Sequence, residues 1–197
     1  MTCRWPAILL LAALIIPAPD GHSATRETEV DLELVLAVDV SLSMDVGEQI
    51  LQREGYAAAF RHPDVLSAIT GGRTGRIAVT YVEWSGKYLQ WIAVPWTLID
   101  GSQSAVDFAE RIVKAWHIRR DYTSISDALL FASGLFTTND FRGDRQVIDI
   151  SGDGPNNKGL PVEAARDAVV ASGITINGLP IMPRADQPIG YFDIRDN

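Results

Sequence analysis

Between Glu33 and Ile50 the chain reads ELVLAVDVSLSMDVGEQI, and Asp39, Ser41 and Ser43 fall two residues apart at the end of an apolar run. In an extended or looped segment such alternation turns all three side chains toward one side. Farther along, DYTSISDAL supplies Thr123 at the start of a helical pattern, and RQVIDISGDG carries Asp153 just past a second apolar run. The set amounts to two carboxylates and three hydroxyls, with no His or Cys. An all-oxygen set suits a hard divalent cation, Mg²⁺ above all, with Mn²⁺ or Ca²⁺ as substitutes, and suits zinc or copper poorly. Asp39, Ser41 and Ser43 alone also fit a simpler account, a strand end followed by a helix cap, because Ser and Asp are favoured caps.

These residues need elements to hold them. Leu32 to Val38 is almost continuously apolar, as in a central parallel strand covered on both faces. After Ser43 the period changes: Val46, Ile50, Arg53, Ala57 and Phe60 fall on one helical stripe, broken at His62 and Pro63. Asp45 is expected in the first turn of that helix, where an acid offsets the dipole. RIAVTYVEWS and KYLQWIAVPW read as a strand pair joined by a tight hairpin at a Ser-Gly turn. Ala105, Phe108, Ala109, Ile112, Val113 and Trp116 mark one face of a helix, and Ala128, Leu129, Ala132 and Leu135 mark another. Arg145 to Gly154 reads as a strand, Pro161 to Ala171 as a helix with Pro in its first turn, and Gly173 to Gly178 as a short strand. Alternating strands and helices predict an α/β three-layer sandwich with a mostly parallel central sheet and one antiparallel edge strand. Ligands of such sheets sit beyond the carboxyl ends of the strands, where Asp39 and Asp153 should emerge.

DVSLS, TSISDAL and SGDG resemble, in order and spacing, the Asp-x-Ser-x-Ser, Thr and Asp-Gly elements of the von Willebrand factor type A domain. With the leader, VLAVDVSLSM, YVEWSG and DISGDGPNN, the chain is more narrowly similar to a bacterial, exported family of von Willebrand factor A-like proteins, the DUF1194 type. The resemblance covers Asp31 to Leu179 and implies a Rossmann-like fold with a metal-ion-dependent adhesion site. It implies that Ser41, Ser43 and Thr123 contribute hydroxyls to a Mg²⁺ ion, and Asp39 and Asp153 carboxylates, directly or through water. Neutral hydroxyls leave the ion's charge partly uncompensated, so that a partner protein can supply an Asp or Glu carboxylate. In two places the sequence departs from the family pattern. RRDY stands before Thr123 where the family often has glycines, and the chain stops at Asn197 where a full type A domain carries one more strand and helix.

Three segments are therefore expected: a signal peptide over 1–24, the type A-like domain over 31–180, and a tail or shortened domain end over 181–197. The leader rests on Arg4, an apolar run of about ten residues from Ala7 to Ile16, and small residues up to Ala24. That run is about half of the roughly 20 residues that a membrane span takes, so no stable span is expected after cleavage, and the destination is the periplasm or cell surface. Cys3, the only cysteine of the chain, lies before the run, so the mature part has no disulfide or cysteine chemistry. A formal net charge of −8 argues against nucleic acid as partner.

The competing function is a Mg²⁺-dependent phosphohydrolase of haloacid dehalogenase type with Asp39 as nucleophile. That chemistry usually places a second Asp two residues on as acid/base, and Ser41 stands there. A serine hydrolase would need a Gly-x-Ser-x-Gly elbow and a credible His, and neither is evident. GGRTGR lacks the ending of a phosphate loop, HPD at His62 is a chance tripeptide, and the tryptophans read as packing residues. Asn156, Asn157 and Lys158 fit either a site rim or a plain turn.

Overall fold

The computed structural model describes residues 27–115 and 119–181. The predicted leader, Trp116, His117 and the tail beyond Ile181 lie outside these residues. Seven strands and five helices follow in the order β1 (Thr28–Val30), β2 (Leu32–Asp39), α1 (Val46–Arg61), α2 (Pro63–Thr70), β3 (Ile77–Trp84), β4 (Gln90–Ile99), α3 (Ser102–Lys114), α4 (Ile125–Leu135), β5 (Phe141–Gly143), β6 (Gln146–Gly152), α5 (Val162–Ala171) and β7 (Thr175–Pro180). The main sheet runs β4-β3-β2-β6-β7, parallel except for the antiparallel β3–β4 pair at one edge. The short strands β1 and β5, which carry no periodic signal, form a separate parallel pair.

Period-2 alternation divides the core. Leu36, Val38, Val79 and Tyr81 face Ala57, Phe60, Phe108 and Ile112 from α1 and α3. Val35, Ala37, Val82, Trp84 and Ile148 face Ala128, Leu129, Ala132 and Val169 from α4 and α5. Both faces of β2 are thus covered, which is why it reads as one apolar run.

Two local expectations are corrected. The inward stripe of α1 starts with Gln49, Gln52 and Arg53, whereas Val46 and Ile50 are 52% and 40% exposed. The sheet row opposite is polar: Gln52 Nε2 donates to Ser151 Oγ at 2.7 Å, the Tyr56 hydroxyl to the same oxygen at 3.1 Å, and Arg53 pairs with Glu83. Pairing Gln52, Tyr56 and Arg53 with this row holds the polar side of the helix against the sheet, while the buried Gln49 amide makes no hydrogen bond with the described residues. The β3–β4 connection is also longer than a two-residue turn. It occupies residues 85–89, with Ser85 N–H donating to Leu89 C=O at 3.0 Å and Tyr88 at φ 61°.

Candidate functional site

Parallel pairing of β2 with β6 sets Val38 beside Ser151, so both chains leave the sheet together at its carboxyl end. Asp39, the last residue of β2, is fully buried. Its Oδ1 accepts the Ser41 N–H at 2.7 Å, which curls the chain so that the next hydroxyls come round. Oδ2 is sealed from solvent and accepts no hydrogen bond of good geometry. From there a polar relay runs outward. Ser41 Oγ and Ser43 Oγ are 2.8 Å apart, and Ser43 Oγ donates to Asp153 Oδ1 at 2.7 Å.

The cap of α1 is Asp45. Asp45 Oδ1 accepts the Glu48 N–H at 2.8 Å, and Glu48 Oε2 accepts the Asp45 N–H at 2.8 Å, a complete capping box. Asp45 therefore sits one position before the first turn, and the cap account of Asp39, Ser41 and Ser43 does not hold.

Thr123 comes from the other side. Its neighbour Ser124 caps α4, with Ser124 Oγ accepting the Asp127 N–H at 3.3 Å. The backbone of Thr123 is clamped by the loop after Asp153: Asn157 Oδ1 accepts its N–H at 2.9 Å, while its C=O accepts from the Asn157 and Lys158 N–H groups at 2.9 and 3.1 Å. Ser41, Ser43, Thr123 and Asn157 share the wall of an open cavity of about 390 Å³ with Leu42, Asp121 and Tyr122. Directly before this threonine Tyr122 takes the left-handed backbone, at φ 67°.

Burial dominates the electrostatics. It pushes the Asp39 carboxyl up to about 7; the nearby Asp153 charge adds to the rise, and hydrogen bonds from Ser41 and the Asp153 N–H oppose it. Asp153 is raised as well, first by burial and then by the Glu48 charge, against the Ser43 hydroxyl. The leading influences that favour the ionised forms are hydrogen bonds, with no lysine or arginine among them. Two adjacent carboxylates without a cationic side chain, one of them with an orphaned oxygen, fit a small divalent cation. Among the described residues no three His, Cys, Asp or Glu cluster as a metal site, so hydroxyls must complete any donor set.

Sequence reasoning did not find the constraints around these groups. Gly152 packs on Asp39, and a Cβ there would lie 2.8 Å from Asp39 Oδ2. Gly159, at φ +89°, lets the 154–160 loop fold onto α4, where Asn156 Oδ1 accepts the Ser126 N–H at 3.1 Å. The PNNKG run was a visible signal, but only the fold shows Thr123 beneath it.

The family model DUF1194, a protein of unknown function, matches residues 29–194. No curated protein matches the chain. Among solved structures the fold is similar to that of proximal thread matrix protein 1 from the mussel byssus with a zinc-occupied MIDAS motif. There the TM-score is 0.60 at 19% identity over 77% of this chain and 38% of that one. It is also similar to the conserved hypothetical protein BatB from Bacteroides thetaiotaomicron, with TM-score 0.52 and 22% identity over 76% and 66% of the two chains. A von Willebrand factor type A protein from Catenulispora acidiphila gives TM-score 0.52 and 18% identity over 76% and 33%. The chain thus spans well under half of the mussel and Catenulispora proteins.

Proposed function

This chain belongs to the DUF1194 family and has a von Willebrand factor type A-like fold, and from that premise we propose that it is an exported, non-enzymatic protein-interaction domain that depends on a divalent metal. The ligands in this reading are Asp39, Ser41, Ser43, Thr123 and Asp153, acting directly or through water, and the ion is Mg²⁺. When bound, the ion supplies a Lewis-acidic position that a partner's Asp or Glu carboxylate can occupy. The observation that carries the reading is the Asp39 carboxylate, wholly buried, with Oδ2 unpartnered beside Asp153. A carboxyl so placed is neutralised by a proton or by a cation, and near neutral pH a divalent ion can take the proton's place. The zinc-occupied motif of the mussel protein, on a similar fold, lends support by analogy.

The residues divide the work. Ser41 N–H fixes Asp39, the Ser43 hydroxyl links the two strand ends, and the Asn157 clamp sets Thr123. Neutral hydroxyls keep the acid count at two, so that a partner's acid still gains by binding. Hydrolysis through Asp39 is disfavoured, since that carboxylate is fully buried and Ser41 occupies the acid/base position. An exported location agrees with the predicted leader. No helix among the described residues is long and apolar enough to cross a membrane.

Thermal unfolding of the purified chain with millimolar Mg²⁺ or Mn²⁺, and then with chelator, tests the reading. Native-state binding at 100 times the Kd stabilises by about 2.7 kcal/mol. Wild type should show that shift and Asp39→Ala and Ser43→Ala should lose it; absence of a shift in wild type would falsify the proposal.

A further inference from the structure

Among the described residues only two non-glycine residues have positive φ, and both are tyrosines: Tyr88 at 61° and Tyr122 at 67°. Left-handed backbone is unfavourable for a bulky side chain, and such outliers persist where the surrounding structure holds them for a use. Neither ring has gone into the core. Tyr88 is 81% exposed and Tyr122 57% exposed. Each has an ammonium on its face, Lys87 Nζ at 4.8 Å from the Tyr88 centroid and Lys158 Nζ at 4.5 Å from that of Tyr122.

Their two loops pack against each other, and the loop of Tyr122 borders the cavity beside the candidate site. Tyr122 lines that cavity. A Cβ on Gly86 would be 3.1 Å from Tyr122 Cβ and 2.7 Å from Asp121 C=O, so the 85–89 turn packs on the backbone before Thr123. Ser124 N–H donates to Ser85 C=O at 2.8 Å and joins the same two segments. Leu42, half exposed, borders the cavity, and its carbonyl is held by Arg119 Nη2 at 2.6 Å. Arg120 N–H donates to Val40 C=O at 3.2 Å, so its exposed side chain starts at the same rim. A chain of net charge −8 therefore places Arg119, Arg120 and Lys158 on the loops beside the site and Lys87 on the adjoining turn, against Asp121 and, near Lys87, Asp127, while Asp45 and Glu48 mark the α1 side.

The geometry points to a partner segment that carries more than the metal-binding acid. Resting on the metal-dependent reading above, the occupant of this rim is a protein segment in which the ligating Asp or Glu is accompanied by further acidic residues and an apolar or aromatic side chain. The acids meet Lys87, Arg120 and Lys158, and the apolar group lies on Tyr122, Tyr88 and Leu42. Aromatic faces give large contact area with few rotors to freeze, and the charges select and steer acidic partners.

Two fluorescent nonapeptides test this on the intact chain in Mg²⁺. One has a single Asp among Gly and Ser; the other has the same Asp with two Glu and one Phe. Binding is read by anisotropy at 50 and 300 mM NaCl and repeated in chelator. Tyr88→Gly and Tyr122→Gly remove each ring while relieving its backbone, so thermal stability holds or rises. The acidic, aromatic peptide should bind at least tenfold tighter than the plain one. That margin should shrink with salt, and Tyr88→Gly, Tyr122→Gly or the Arg120→Gln/Lys158→Gln pair should cut it several-fold, with the Mg²⁺ thermal shift unchanged in Tyr88→Gly. Equal affinity for both peptides, or Tyr→Gly variants that bind like wild type, overturns the rim assignment and leaves the metal site standing. A wild type without a Mg²⁺ shift, or with peptide binding that survives chelator, overturns both.

Discussion

Gly152 stands so close to Asp39 that the smallest side chain would collide with it: a Cβ would lie 2.8 Å from Asp39 Oδ2, 3.3 Å from Asp39 Cβ and 3.4 Å from the Trp84 ring. Backbone of β6 therefore forms one wall of the carboxylate's niche, and Trp84, paired with Asp39 in register, forms another. Gly152→Ala must displace the carboxylate or the strand. We expect a loss of about 1–3 kcal/mol, typical of overpacking, together with loss of the Mg²⁺-dependent shift in unfolding temperature. An undiminished shift in this variant would show that Asp39 does not face the metal.

Metal-free stability should fall with rising pH because of Asp39. Its folded carboxyl stands at about 7 against an ordinary value of 3.8, so between roughly pH 4 and 7 the folded state holds the proton more tightly than the unfolded chain. The stabilising contribution is complete below that window and declines through it, on the order of a few kcal/mol. Urea titrations in chelator from pH 4 to 8, for wild type and Asp39→Asn, check the sign. The variant should have the flatter profile. Millimolar Mg²⁺ should restore wild-type stability at pH 8 and do nothing for Asp39→Asn.

The limits of the sequence show in these same residues. Asp39, Ser41 and Ser43 were legible because a buried parallel strand announces itself as an apolar run and its end must be where polarity begins. Thr123 and Asp153 enter the candidate set by their order along the chain. The niche was not legible, since Gly152 and Trp84 meet Asp39 only through the parallel register of three strands. The helix α1 misled for a related reason. Its apolar period is weak, and a polar row on the sheet, Glu83 and Ser151, outweighs two half-exposed aliphatic groups. Short strands such as β1 and β5 hold only a few pairs each and leave no periodic trace.

Asn157 is expected to act on the site through Thr123. Its Oδ1 accepts the Thr123 N–H, and Gly159 at φ +89° lets the loop close, with a Cβ there only 2.5 Å from Ser124 Oγ and Ser126 Oγ. Residues that orient a ligand typically contribute about 10–100-fold in metal affinity. Asn157→Ala should raise the Mg²⁺ Kd by about tenfold in calorimetric titration at a stability loss of about 1 kcal/mol. Gly159→Ala should do more on both counts. Unchanged affinity in Asn157→Ala would remove Thr123 from the ligand set.

Arg53 and Glu83 form a buried pair beneath the same strand ends, and Arg53 also donates to Ala115 C=O at 3.2 Å, so one side chain ties α1 to β3 and to the end of α3. Burial raises the Glu83 carboxyl, and the Arg53 charge is the chief influence against that rise. Removing the guanidinium leaves an acid with no compensating charge in a closed site, which costs about 3–5 kcal/mol in comparable cases, whereas replacing both partners by apolar groups is often neutral. Arg53→Met should therefore destabilise strongly and Arg53→Met/Glu83→Leu should recover most of the loss. Chemical denaturation of wild type, both single variants and the double variant gives the coupling. A double variant as unstable as the sum of its singles would mean that the pair is not coupled, and that Arg53 matters through its other contacts, Ala115 C=O among them.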